Sequence, residues 1–166
     1  MTATPVLRRG PLRRARGLAA VVAAVLLLVL VRGVLVEPLR VDGVSMEPGL
    51  QDGDVVLVWR RADIERDTHR GDLVVFHDFD GTLSVKRVVA LPGDRVRVLD
   101  SVLQIDELPV AEPYARRSTA TSYFGSLVVP ARTVFVLGDN RAHSTDSRVY
   151  GPVDDARVIG RVVLSW

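Results

Sequence analysis

The chain has 166 residues, enough for one domain and a tail. It has no cysteine, which excludes a disulfide framework, a thiol nucleophile and a thiolate metal site. Its 22 basic residues narrowly outnumber its 20 acidic ones, but Arg8, Arg9, Arg13, Arg14 and Arg16 crowd the start; the remainder is net acidic and leaves no nucleic-acid footprint.

Residues 1–16 are short, basic and free of acids. Gly17 to Val36 then forms an apolar run of the length that lets a helix cross a hydrocarbon layer of about 30 Å. Arg32 lies near its far end, where its head can snorkel to the headgroups. A cleaved signal peptide also fits the charged start and the apolar core. No small-x-small cleavage site follows, however, so an uncleaved anchor is expected. The arginine cluster predicts a cytoplasmic N-terminus and an outward-facing remainder.

Beyond the anchor the pattern is strand and turn. Leu39 and Val41 alternate with Arg40 and Asp42, as in a half-buried strand. Asp52-Gly53 predicts a turn and Asp54 to Trp59 a second strand. Arg60 to Arg70 reads as a charged loop. Leu73 to Phe79, Asp80-Gly81 and Leu83 to Leu91 predict a hairpin, because Asp-Gly supplies the positive φ of a tight turn. Pro92-Gly93-Asp94 leads into a strand at Arg95–Leu99. Ser101 to Ser126, polar and proline-containing, predicts long loops. Strands are expected again at Thr133–Leu137 and Val158–Leu164. No helical period of useful length follows the anchor. The predicted architecture is a tail, one membrane helix and a mostly β outer domain.

Lys86 is the only lysine among these arginines. Composition bias explains the arginines, yet the exception matters, since a buried lysine can lose its proton and an arginine cannot. Alternation along its strand puts Ser84, Lys86 and Val88 on one face, an arrangement compatible with burial. A buried lysine can serve as the base that a serine nucleophile needs. Ser45, in a proline turn just past the anchor, is the candidate nucleophile. On the residues alone, a turn serine and an exposed strand lysine are the simpler explanation of both.

Four ordered blocks change that balance. They are Gly43-Val44-Ser45-Met46-Glu47-Pro48, Arg70 to Phe76, Lys86 to Asp94, and Gly138 to Arg148. Together, behind an anchor, they resemble the bacterial type I signal peptidases, the membrane-anchored serine–lysine endopeptidases of peptidase family S26. The resemblance runs from the anchor to Trp166. It implies a mainly β fold, with a basic cytoplasmic tail at 1–16, a transmembrane helix at 17–36 and a β-rich extracytoplasmic catalytic domain at 37–166.

The resemblance also implies the roles. Ser45 is the nucleophile and Lys86 the general base. Ser144 is the hydroxyl that orients the lysine amine by a hydrogen bond. Asp146 and Arg148 form a supporting ion pair, and Asp139 is another structural member of the block. Neighbouring Ser147 takes no role. The family stabilises the oxyanion with the nucleophile's own N–H and, in some members, a serine hydroxyl two residues earlier. Gly43 stands there in this chain, which leaves the second donor unassigned, and Gly49 replaces the usual threonine. Leu39, Val41 and Val85 line shallow pockets that accept small side chains one and three residues before the cut. The substrate would bind extended, as an added strand. The implied activity is cleavage of signal peptides after small-x-small motifs, with no cofactor and no metal. The implied partners are preprotein signal peptides and the lipid bilayer, with the secretion translocon as a candidate.

Other features carry less. His69, His77 and His143 lack metal-ligand spacing. His143 is the best base for a rival Ser–His–Asp hydrolase, but the Gly-x-Ser-x-Gly elbow is missing. Asp78-Phe79-Asp80-Gly81 hints at calcium, and a hairpin turn explains it as well. Trp59 and Phe79 fit either the core or a membrane interface. Two rival functions are a self-cleaving or pilin-processing protease and an inactive anchored binding module; intact Ser45 and Lys86 argue against the second.

Overall fold

The computed structural model describes residues 17–25, 29, 35–60, 64–116 and 122–166. Contacts divide the chain into two units, residues 1–35 and 36–166. In the first, residues 17–25 are helical, and Leu18, Val21, Val22 and Val25 present exposed apolar side chains. Among the described residues no helix is long and apolar enough to cross a membrane. The predicted basic tail and most of the second half of the predicted anchor lie outside the described residues. Val36 belongs to the first strand rather than to the anchor.

Among the described residues the second unit has eleven strands in two antiparallel sheets. Seven strands make the larger sheet, in the order β1-β2-β11-β3-β4-β9-β10. These are β1 (Val36–Arg40), β2 (Val55–Trp59), β3 (Leu73–His77), β4 (Leu83–Ala90), β9 (Thr133–Leu137), β10 (Val153–Asp154) and β11 (Val158–Ser165). Pro38 sits in β1, at the sheet edge, where its missing N–H breaks no ladder. The smaller sheet has the order β7-β6-β5-β8, from β5 (Arg95–Leu99), β6 (Val102–Ile105), β7 (Leu108–Pro109) and β8 (Phe124–Val128).

The core follows from the period of two along each strand. Val74 and Phe76 of β3 pack with Val88, Val134, Val136 and Val153. Val75, on the opposite face, packs with Val41, Met46, Leu50, Val56 and Val58. β9 is buried on both faces: Phe135 and Leu137 join the smaller sheet through Val96, Val98, Leu103 and Ile105. A register shift between Val88 and Ala90 lets β4 serve both layers.

Three readings need correction. The Ser101–Ser126 stretch is not loop throughout: its described residues include β6, β7 and the start of β8, and residues 110–116 lie outside the named strands. Leu103 and Ile105 alternate inward there, and the chain reverses at Asp100-Ser101 and Asp106-Glu107, all with positive φ. These are tight hairpin turns without the glycine that usually signals them. The β3–β4 hairpin has a longer connection than Asp80-Gly81. His77 pairs with Leu83, so Phe79 lies in the turn, half exposed, against Tyr150 and beneath Arg157. Neither Phe79 nor Trp59 is core. Finally, the charged loop contains one helical turn, Ile64–Asp67.

Candidate active site

Ser45 sits in the turn between β1 and β2. That turn is anchored by its own apolar residues, since Met46 and Leu50 are fully buried and Leu50 N–H donates to the Met46 carbonyl at 2.9 Å. Gly43 opens it with φ +91°, a conformation that disfavours any side chain, and donates its N–H to Asp52 Oδ1 at 2.7 Å. A serine hydroxyl at Gly43 would therefore come with backbone strain. From the far side, the turn is met by the segment after β9. A Cβ on Gly138 would lie 2.6 Å from the Ser45 carbonyl oxygen and 2.2 Å from Ser144 Oγ, so only glycine lets these segments touch.

Lys86 reaches the serine from β4. Its Nζ lies 3.0 Å from Ser45 Oγ and 3.1 Å from the Val85 carbonyl. The residue is 5 % exposed, and burial lowers the amine's pKa from its ordinary value. The charges of Asp146 and Asp78 oppose that shift without reversing it. β9 pairs with β4 only from Arg87 onward. Among the described residues, the Leu83–Lys86 stretch therefore has no strand on that side, and neither has the outer edge of β1. Between them runs a cleft lined by Leu39, Val41, Val56, Val75, Leu83 and Val85, with Ser45 and Lys86 in its wall.

Around the pair, buried charges are matched one to one. Asp146 is fully buried and accepts from Arg148 N, Arg148 Nε, Arg148 Nη2, Ser144 Oγ and Gly138 N. Asp139 takes a two-pronged contact from Arg87 at 2.8 and 2.6 Å. Arg141 makes the same contact with Glu112, at 2.6 Å on each side. Tyr114 lies beneath the Arg87 guanidinium, 4.2 Å from its ring centre.

The predicted residues thus converge. Ser45, Lys86, Gly43, Leu39, Val41 and Val85 share the cleft or its turn, and Asp139, Ser144, Asp146 and Arg148 sit behind it. Two details differ. Ser144 gives its proton to Asp146 at 2.8 Å, while the Lys86 amine bonds Ser45 and Val85. Ser147 is not idle, for its buried Oγ accepts from Val136 N at 3.0 Å. His143 turns to Asn140, with Nδ1 3.2 Å from Oδ1. Among the described residues the one side-chain partner of Ser45 Oγ is Lys86, which sets the histidine hydrolase aside. The Asp78 and Asp80 carboxylates accept from Phe79, Ser84 and Thr82 of their own hairpin, as a turn requires.

Sequence reasoning passed over Asn140, Glu112 and Tyr114 and the cleft residues Val56, Val75 and Leu83. Asn140 lay inside a quoted block without a role. The valines look like any strand core, and nothing local marks Glu112 as a partner 29 residues from Arg141.

The comparisons agree with this geometry. The family model described as signal peptidase, peptidase S26, matches residues 14–166. The signal peptidase I of Bacillus licheniformis is 38 % identical over 152 residues, spanning 85 % of this chain and 82 % of that protein. Signal peptidase I V of Bacillus subtilis is 35 % identical over 156 residues, spanning 86 % and 92 %. The crystal structure of a signal peptidase I from Enterococcus faecalis superposes with a TM-score of 0.51 at 31 % identity, covering 58 % of this chain and 97 % of that one. With a buried lysine on a serine in a β scaffold, and a family match over nearly its whole length, the chain belongs to the signal peptidases of peptidase family S26.

Proposed function

We propose that Ser45 is the nucleophile and Lys86 the general base of a signal peptidase I that cuts exported preproteins after small-x-small motifs. The observation that carries this is the 3.0 Å contact between Ser45 Oγ and an amine whose burial favours its neutral form. The neutral amine takes the serine proton as Oγ attacks the scissile carbonyl, then gives it to the leaving amine. Water, deprotonated by the same lysine, hydrolyses the acyl-enzyme. The Ser45 N–H faces the oxyanion. Ser144 and Arg148 hold Asp146 behind the lysine.

The substrate lies extended between the outer edge of β1 and the unpaired start of β4, where main-chain hydrogen bonds hold it. Leu39, Val41 and Val85, with the added Val56, Val75 and Leu83, wall the pockets and keep them shallow. The apolar run at 17–35 anchors the enzyme, and the arginines before it stay cytoplasmic, so the catalytic unit faces outward. The bilayer and the signal peptides emerging from it are the partners, with the translocon beside them.

Incubating the full-length protein with a labelled preprotein tests the reading. Cleavage after a small-x-small motif is expected from the wild type and none above background from Ser45→Ala. Turnover by Ser45→Ala would overturn it.

A further inference from the structure

We propose that Asn140 is the positioning residue for the oxyanion donor. It holds the Val44 carbonyl and thereby aims the Ser45 N–H. The proposal rests on the reading of Ser45 as the nucleophile and adds a residue to which no role has been given.

Asn140 follows β9 and is 3 % exposed. Its Nδ2 donates to the Val44 carbonyl at 3.0 Å, across 96 residues of chain. Its backbone N–H donates to the Ser45 carbonyl, also at 3.0 Å. These acceptors belong to the two peptide units that flank the Ser45 Cα. The Val44 carbonyl and the Ser45 N–H are one planar trans unit, so they point in opposite directions. Holding the oxygen fixes the direction of the hydrogen. Within the turn, Glu47 N–H also reaches Val44 O, at 3.2 Å. Asn140 alone, among the described residues, grips that oxygen from outside the turn.

The Ser45 N–H donates to no acceptor among the described residues, so it is available to a substrate oxygen. Gly43 offers no hydroxyl beside it. A site with one sure donor depends more heavily on the alignment of that donor.

A third contact fixes the amide itself. Val44 O can only accept, so the Nδ2 of Asn140 must face it. Oδ1 then faces His143 Nδ1 at 3.2 Å, and that nitrogen must carry a proton. Both the Nδ1–H tautomer and the imidazolium meet this demand. His143 therefore locks the amide.

The test compares a peptide aldehyde with an uncleavable peptide of the same sequence. The Ser45 hydroxyl adds across the aldehyde C=O, its proton passing to the new oxygen, which occupies the oxyanion position. Asn140→Ala should lower kcat by about 10- to 100-fold, the scale of a misplaced donor. Aldehyde affinity should fall by the same factor. KM and the uncleavable peptide's affinity should stay within about threefold, and the acid limb of the pH profile should not move. A merely structural role would weaken both ligands together, and that result, or an unchanged kcat, would overturn the proposal. If Asn140→Ala does not fold, His143→Ala decides, because the ring is exposed and its loss frees only the amide. It should lower kcat and aldehyde affinity together by about 3- to 10-fold with an unchanged melting temperature; wild-type behaviour would refute the mechanism. Activity in Ser45→Ala would instead sink the nucleophile reading. An inactive Ser45→Ala beside a normal Asn140→Ala would sink this inference alone.

Discussion

Replacing Asp146 by asparagine separates what the buried carboxylate does for the fold from what it does for the base. All five contacts made to it come from donors: two to Oδ1 from Arg148, and three to Oδ2 from Gly138, Ser144 and Arg148. An amide keeps one oxygen. If its NH2 takes the Oδ1 place, it faces the Arg148 N–H and Nε. If it takes the Oδ2 place, Ser144 can turn to accept, but Gly138 N–H and Arg148 Nη2 cannot. Either way two donors meet a donor, and Arg148, 11 % exposed, loses its counter-charge. Removing one partner of such a pair costs about 3–5 kcal/mol. At roughly 3–5 °C per kcal/mol for a unit of this size, the melting temperature should fall by about 10–20 °C. The base should respond in the opposite sense to simple damage. Asp146 raises the Lys86 pKa against the effect of burial, so its neutralisation lowers that pKa further. With the neutral amine as the proposed active form, the acid limb of kcat/KM should move to lower pH. Circular dichroism melts and a pH–rate profile below the new melting point provide the two readouts. A melting temperature within about 3 °C of wild type, or an acid limb moved to higher pH, would refute the reasoning.

Two further outcomes follow from the same geometry. Lys86→Arg should lose at least about 10²-fold in kcat, because a guanidinium cannot accept the serine proton; wild-type turnover in a preprotein assay would exclude Lys86 as the base. Ser147→Ala should lower stability by about 1–3 kcal/mol in denaturant unfolding, since it strands the buried Val136 N–H, while the acid limb of kcat/KM stays in place.

What the sequence disclosed, and what it hid, divides along a physical line. Period-two patterns and glycine turns are local, so β3, β4, β5, β9 and β11 could be read within a residue or two. In the smaller sheet β6 and β7 escaped because Asp100-Ser101 and Asp106-Glu107 take positive φ without glycine. The proposed nucleophile and base stood out through ordered blocks, not through periodicity. Their surroundings were not. Glu112 meets Arg141, Asn140 meets Val44 and Ser147 meets Val136 only after the sheets assemble. The placing of Ser144 against Asp146 shows the same limit: a block fixes which residues gather, while the direction of each proton depends on how many acceptors burial leaves nearby.

The lone lysine among arginines becomes intelligible at this point. A base must be neutral, and a buried amine surrounded by bare carboxylates would not be, since each negative charge favours the ammonium. The carboxylates of Asp139 and Asp146 are both fully buried in the block behind the site, so the danger is real. Each is met by a guanidinium, Arg87 for Asp139 and Arg148 for Asp146. A permanent positive charge opposes the field of each carboxylate, and burial remains the largest influence on Lys86, against the opposing charges of Asp146 and Asp78. Lysine in those two roles would have introduced further groups able to shed protons in a dry interior. Arginine there, and lysine once, assigns the fixed charges and the mobile proton to different chemistries. Linkage adds a consequence. With its folded-state pKa below the ordinary lysine value, Lys86 is charged below the folded value in both states, and the full burial penalty applies there. Between the two values the unfolded chain holds the extra proton, so stability rises with pH. The same desolvation that favours the neutral Lys86 amine thus makes it a cost to the fold at low pH.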